Sequence, residues 1–329
     1  MTITVVTGAA GHVGGVLVRA LQARGRAVRA LVHHDRRALE RLVLETVAGD
    51  VRDPASLRRA FAGADVVYHA AAHISLRMND GQRLHAVNVL GTRNVVEACL
   101  HAGVRRLIHF SSIHALQQEP LDVPVDESRP RVDERHAIPY DRSKAAAERE
   151  VERGLARGLD AVILNPTAIV GPHDYRPSHF GAVLLALSRG RLPALVTGGF
   201  DWVDVRDVVA GAIRAEERAA AGARYLLSGH WASAREVAAL VERAAGTPAP
   251  RLVFPLALAH LGAPFATAWA NLAGRRPLYT TVSLRTLRSN QVIDHRRATE
   301  ELDYHPRPLQ KTIADTVQWL KESGLCRGH

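Results

Sequence analysis

The sequence is poor in lysine, cysteine and aromatic residues. Only Lys144, Lys311 and Lys321 stand among 329 residues, so a formal charge of +10 rests mainly on arginine. The arginines are scattered among alanines, and aromatics make up 5% of the chain. Nucleic acid is therefore not an expected partner, because it calls for a concentrated basic stripe with stacking residues. Cys99 and Cys326 are the two cysteines, far apart and without metal-ligand spacing. That excludes a disulfide framework or a structural zinc, no metal is assigned, and a reducing cytoplasmic setting fits. No basic stretch or cleavage site precedes the apolar run at 3–7, so export by a signal peptide is not expected. Linker-like Pro/Gly/Ser tracts and internal repeats are also lacking. With 47% hydrophobic residues, the chain can bury one large core, or a core plus a smaller lobe.

Residues 253–273 carry no charged side chain, and about 20 apolar residues suffice to span a bilayer. Pro255, His260, Pro264 and Asn271 interrupt the run, so a spanning helix is not expected. A helix that lines a hydrophobic pocket, or rests on a membrane surface as a peripheral contact, fits better.

The first half alternates short β-branched runs with helical patterns. Strands are expected at 3–7, 27–32, 43–48, 66–69, 107–111 and 161–165, and helices at 13–24, 56–62, 84–102 and 140–154. Such alternation builds βαβ units, hence an α/β doubly wound parallel sheet. Runs such as Val66, Val67 and Tyr68 are continuously apolar, as strands buried on both faces must be. After Gly171 and Pro172 the pattern loosens, then resumes with helices at 180–189, 205–217 and 233–245 and a strand at 224–228. The expected division is a nucleotide-binding domain over 1–171 to which 200–229 returns, and a smaller interleaved substrate-binding lobe from 172–199 and 230–329.

Thr7, Gly8, Gly11, His12, Val13 and Gly14 lie between the first strand and the first helix. Glycine permits the tight turn and the approach of backbone to a pyrophosphate, while the helix N-terminus offers free N–H groups and a positive dipole end. In this context the spacing reads as the dinucleotide fingerprint of a Rossmann fold. The second strand ends in His33, with Arg36 and Arg37 within reach of a 2′-phosphate, which favours NADP(H) over NAD(H). Asp35 stands close to the place of a ribose-binding acid and keeps NAD open. Asp50 and Val51, after the third strand, suit the adenine edge.

Tyr140 and Lys144 are four residues apart, on one face of a helix that Pro139 opens. With six tyrosines in the chain, chance would supply about 0.05 such pairs. Hydride transfer at a carbon bearing oxygen requires a proton to reach or leave that oxygen, and a free phenol, with a pKa of about 10, is a poor base. A nearby ammonium would lower it, and Lys144 could also bond the nicotinamide ribose. Ser112, at the end of a central strand, is the expected donor to the substrate oxygen, with Ser111 its competitor.

Taken together, these motifs resemble the extended short-chain dehydrogenase/reductase (NAD-dependent epimerase/dehydratase) family. Its Thr-Gly-x-x-Gly-x-x-Gly, Ser and Tyr-x-x-x-Lys patterns fall on Thr7 to Gly14, Ser112, and Tyr140 to Lys144. Ala70, Ala71 and Ala72 after His69, Asn88, and Pro166 after Asn165 extend the match, and the resemblance assigns them to the cofactor site. The run Ser111-Ser112-Ile113 looks most like the dihydroflavonol-reductase-like and 3β-hydroxysteroid-dehydrogenase-like branch. The resemblance implies an enzyme using NAD(P) and a homodimer formed through a helix pair.

Dehydratases of the family carry an Asp-Glu pair beside the serine where this chain has Ile113 and His114, so dehydration is disfavoured. The expected function is interconversion of a ketone and a secondary alcohol on a hydrophobic small molecule. A nucleotide-sugar 4-epimerase with bound NAD, and a non-catalytic NAD(P)-binding sensor or scaffold, are the alternatives.

Overall fold

Strands with apolar side chains on both faces can be covered only by helices on both sides, and the chain builds that arrangement. The structure, a computed structural model, describes residues 2–40, 42–259 and 281–326. Seven parallel strands form the main sheet in the order β3-β2-β1-β4-β5-β6-β10. They are β1 (Ile3–Thr7), β2 (Ala27–Val32), β3 (Glu45–Ala48), β4 (Ala64–His69), β5 (Arg106–Phe110), β6 (Ala161–Pro166) and β10 (Arg224–Leu227). The order reverses between β1 and β4, and ligands of such sheets bind at the carboxyl ends of the strands flanking that switch point.

One face packs on α1 (His12–Ala23) and α7 (Val205–Arg218) through Val6, Leu17, Tyr68, Ile108, Leu164, Val208 and Ile213. The other packs on α2 (Pro54–Phe61), α4 (Gly91–Ala102) and α5 (Pro139–Leu155) through Val5, Leu57, Val67, Val95, Leu107, Val151 and Ile163. Strict alternation along β4 (Val66 and Tyr68 against Val67) supplies both cores from one strand.

The helix expected over 84–102 forms, begins a turn earlier and changes register within its length. The turn α3 (Gly81–Leu84) leads into a wider π-type segment at His85–Leu90 before α4 begins. At Gly91 a β-carbon would lie 2.7 Å from Val51 Cγ2, so the helix start sits directly against the end of β3. π segments of this kind concentrate at functional sites, and this one carries Asn88.

The C-terminal half adds a three-stranded sheet, β7 (Ala168–Val170), β9 (Gly199–Asp204) and β11 (His230–Ser233), in the order β11-β9-β7. A second pair joins β8 (Leu195–Val196) to β12 (Val253–Phe254). Helices α6 (His179–Ser188), α8 (Ala234–Ala245) and α11 (Leu309–Glu322) cover them around Leu184, Trp202, Val241 and Ile313. The shorter α9 (Thr281–Thr286) and α10 (Arg296–Leu302) precede α11. Of the expected return of 200–229 to the main sheet, α7 and β10 make it; residues 200–204 pair in the small sheet instead, because β9 bonds β7 and β11.

Among the described residues no helix is long and apolar enough to cross a membrane. Of the uncharged run 253–273, the part from His260 onward lies outside the described residues. Leu252, Phe254 and Leu258 beside it are exposed.

Candidate active site

The glycine loop is shaped by close approach. Gly8 has φ +68°, a left-handed conformation, and a β-carbon there would lie 2.5 Å from Ala71 N. At Gly14 a β-carbon would lie 2.1 Å from Gly8 O, so α1 starts in contact with the loop that feeds it. Gly11 precedes α1, and no side chain caps that helix, leaving its first N–H groups available to an anion. His12 Nε2 donates to Pro172 O at 3.0 Å and ties the loop after β7 to the start of α1.

Behind the loop, Thr7 Oγ1 contacts His69 Nδ1 at 2.8 Å, and His69 Nε2 contacts Thr92 Oγ1 at 3.0 Å. Burial and the Lys144 charge hold His69 down at about 3, so the bridge is neutral. Ala70 N donates to Thr7 O and Ala71 N to Thr7 Oγ1; these alanines line the loop, and Ala72 is exposed. Pro166 is buried at the end of β6.

At the end of β2, His33 lies 3.2 Å from Asp50, whose carboxylate Arg52 also binds. Arg37 binds Asp35 at 2.6 Å, which holds that carboxyl down at about 2. The Arg36 side chain makes no hydrogen bond or ion pair among the described residues. The Asp35–Arg37 unit is therefore internally neutral, and Arg36 is an unspent cation of this corner, with Arg176 also near enough to act on Asp35.

Tyr140 opens α5, and the Ser112 hydroxyl lies close enough to its phenol to favour the phenolate. Ser112 caps the turn Ile113–Ala115 by accepting from His114 N at 3.2 Å. Ser111 faces away: its Oγ donates to Glu148 Oε1 at 2.5 Å. Of the two serines, Ser112 is the one placed with the tyrosine. His114 lies edge-on to the Tyr140 ring, and both His114 and His136 flank the buried Asp141, at 3.7 and 2.9 Å.

Burial acts on the phenol against the lowering expected from the lysine: it raises Tyr140 above the ordinary tyrosine value, and the nearby Ser112 offsets only part of the rise. Lys144 is itself buried, which pulls its ammonium down to about 8. Its Nζ donates to Phe110 O at 2.8 Å, leaving two of three ammonium hydrogens for other acceptors.

Asn88 receives its place from the π segment. Its Nδ2 donates to His73 O and Ser143 Oγ, both at 2.9 Å, and its Oδ1 accepts from His73 N at 2.7 Å. Both amide hydrogens are thus used to fasten the loop after β4 to α5. Sequence reasoning passed over Glu148, although its signal was present: it follows Lys144 by the four residues that separate Lys144 from Tyr140.

The sequence pattern of the NAD dependent epimerase/dehydratase family matches residues 4–227. The chain is 39% identical over 333 residues to sterol demethylase protein B of Methylococcus capsulatus, covering 98% of this chain and 99% of that protein. It is 33% identical over 237 residues to the 4-hydroxy-2-methyl-3-oxo-4-farnesyl-3,4-dihydroquinoline-1-oxide ketoreductase of Stigmatella aurantiaca, covering 68% and 67% of the two chains. The crystal structure of gox2253 superimposes with a TM-score of 0.85 at 34% identity, over 98% of this chain and 99% of that one.

Proposed function

Because the chain belongs to the NAD dependent epimerase/dehydratase family, and is an oxidoreductase of that family, we propose that it interconverts a ketone and a secondary alcohol on a hydrophobic, ring-bearing small molecule. The observation that carries this reading is Ser112 within reach of the Tyr140 hydroxyl, with Lys144 one helical turn beyond and bonded to Phe110 O at 2.8 Å. Beside that serine stand Ile113 and His114, not the acidic pair that water elimination would use. A sterol demethylase protein and a quinoline-oxide ketoreductase among the relatives support a substrate with fused apolar rings.

The cofactor site fits a nicotinamide dinucleotide. Gly8 and Gly14 leave room that a β-carbon would fill, and the uncapped start of α1, from Gly11 to Gly14, offers N–H groups to its pyrophosphate. Asp50 and Val51, the loop Ala70–Ala72, and Arg36 complete the proposed binding surface. When bound, the nicotinamide supplies or accepts the hydride.

The chain's own residues handle the proton. Tyr140, held in its neutral form, donates its hydroxyl proton to the carbonyl oxygen in reduction and takes it back in oxidation. Ser112 orients that oxygen by hydrogen bonding. The Lys144 charge stabilises the phenolate that forms transiently. A scan of steroid and other polycyclic ketones and alcohols with both nicotinamide cofactors, read at the nicotinamide absorbance, tests the reading. Turnover with apolar ring ketones is expected; interconversion of nucleotide sugars without net redox, and no turnover of any ketone, would replace it with the epimerase.

For the cofactor we propose NADP(H), and Arg36 is the reason. Neutralising Arg36 and Arg37 is expected to weaken NADP binding by about tenfold or more, the effect of losing roughly 1.4 kcal/mol of charge-assisted bonding to the 2′-phosphate. NAD binding should change little. Most of the loss should come from Arg36 alone, since Arg37 is already compensated by Asp35. Equal losses for the two cofactors, measured by titration calorimetry, would reject the assignment.

A further inference from the structure

Tyr140, Lys144 and Glu148 follow one another at four-residue intervals, which aligns them on one face of α5. Glu148 is fully buried, and a carboxylate without partners in such a place costs about several kcal/mol. Its partners come from three strands of the main sheet or their ends. Ser111 Oγ donates at 2.5 Å after β5, Asn165 Nδ2 at 2.7 Å from β6, and Arg224 at 2.7 Å from β10. Arg131 lies further off at 3.9 Å and is bound mainly by Glu152, which also approaches Arg224 at 3.9 Å.

Two consequences reach the active site. Asn165 Nδ2 also donates to Ser112 O at 2.8 Å, so the residue that holds the serine backbone is itself held by Glu148. The second consequence is electrostatic. Lys144 lies near His69 from β4 and His109 from β5 and is bonded to the Phe110 carbonyl, while Tyr140 precedes it by one turn of its own helix. Burial and Lys144 itself keep both histidines neutral. Tyr140 is held protonated. The negative charge that acts on the ammonium is that of Glu148, one turn along.

Resting on the reading of Tyr140 and Lys144 as the proton-handling pair, we propose that Glu148 is a positioning residue whose charge keeps the Lys144 ammonium protonated and whose hydrogen bond to Asn165 fixes Ser112 beside Tyr140. Glu148 touches neither substrate nor cofactor in this role. It acts through Lys144 and Ser112.

The scarcity of lysine makes the test direct. With three lysines in the chain, isotopically labelled lysine gives three side-chain nitrogen signals, and Lys144→Arg identifies the one of interest. In the unaltered protein that signal should titrate near about 8. Glu148→Gln keeps the shape and removes the charge, so the titration should move down by about one unit or more, a tenfold loss of proton affinity. Mere loosening of the core would let water in and move it up, towards the ordinary lysine value. The sign therefore separates the two roles.

Glu148→Gln leaves the part-buried Arg224 with only the more distant Glu152, which endangers folding. The paired variant Glu148→Gln with Arg224→Gln leaves no unpaired charge and carries the same expectation, a downward shift. An unchanged or raised titration in either folded variant would overturn the proposal. A downward shift in the variants, with no turnover of any ring ketone by the unaltered protein, would uphold Glu148's action on Lys144 and sink the substrate reading instead.

Discussion

Replacing Tyr140 with phenylalanine is expected to lower turnover by about two to four orders of magnitude, the usual worth of a positioned acid/base group. The change removes one oxygen from a ring that otherwise keeps its place at the start of α5, so the fold should be undisturbed. Cofactor affinity should be retained, because the glycine loop and the end of β2 lie on other elements. The burial that raises Tyr140 explains why the effect should be large in the direction of reduction. A phenol held neutral is a ready proton donor. Stopped-flow or steady-state rates with a ring ketone, alongside cofactor titration of the same protein, provide the check. Activity surviving at near the unaltered rate would remove Tyr140 from the acid/base role.

The second large effect should follow from a single methyl group. In Gly14→Ala the added carbon would lie 2.1 Å from Gly8 O and 2.8 Å from Ala9 Cα, both backbone atoms. No side-chain rotation can relieve such contacts, so the loop or the helix must shift. Overpacking of this kind costs about 1–3 kcal/mol. The displaced atoms are the backbone groups proposed to meet the pyrophosphate, so the loss should appear in binding as well as in stability. A fall in cofactor affinity of about ten- to a hundredfold corresponds to the same energy range. Thermal unfolding should show a lowered Tm, with less added stability from the cofactor than in the unaltered protein. Unaltered affinity would mean that the loop is not the dinucleotide cradle.

How much of this could be read in advance depended on whether the signal lay in one stretch of chain. The inner main-sheet strands were legible because their apolar runs are nearly unbroken, as along β4, and α5 because Pro139 opens a long amphipathic run; the edge strand β3, Glu45–Ala48, is polar and mostly exposed. The small-sheet strands were not. β9 contains Asp201 and Asp204, which look like loop residues, yet both are buried and bonded: Asp201 accepts from Thr167 and Gly229 N, and Asp204 caps α7. The helices at Arg296–Leu302 and Leu309–Glu322 likewise escaped notice, since their apolar faces meet partners distant in sequence.

Within the site, the tyrosine and lysine declared themselves by spacing, whereas the choice between Ser111 and Ser112 depended on direction. β5 alternates sides, so the residue after Phe110 faces α5 and Glu148, and the next turns towards Tyr140. The neutral Asp35–Arg37 unit was hidden for a similar reason, because a sequence shows charges without showing which are already paired. The lowering of the tyrosine by lysine is expected from proximity alone, whereas burial, which acts on the same phenol in the opposite sense, shows only in three dimensions.

The central claim is that hydride passes to a carbon bearing oxygen on a hydrophobic ring system, with Tyr140 supplying the proton. The most direct test is to reduce a polycyclic ketone with cofactor deuterated at the transferable position and to examine the isolated alcohol by mass spectrometry and NMR. One deuterium at the carbinol carbon of the product, absent when Tyr140→Phe is used, is the predicted result. No labelled alcohol from any ketone, with nucleotide sugars interconverted under the same conditions, would contradict it.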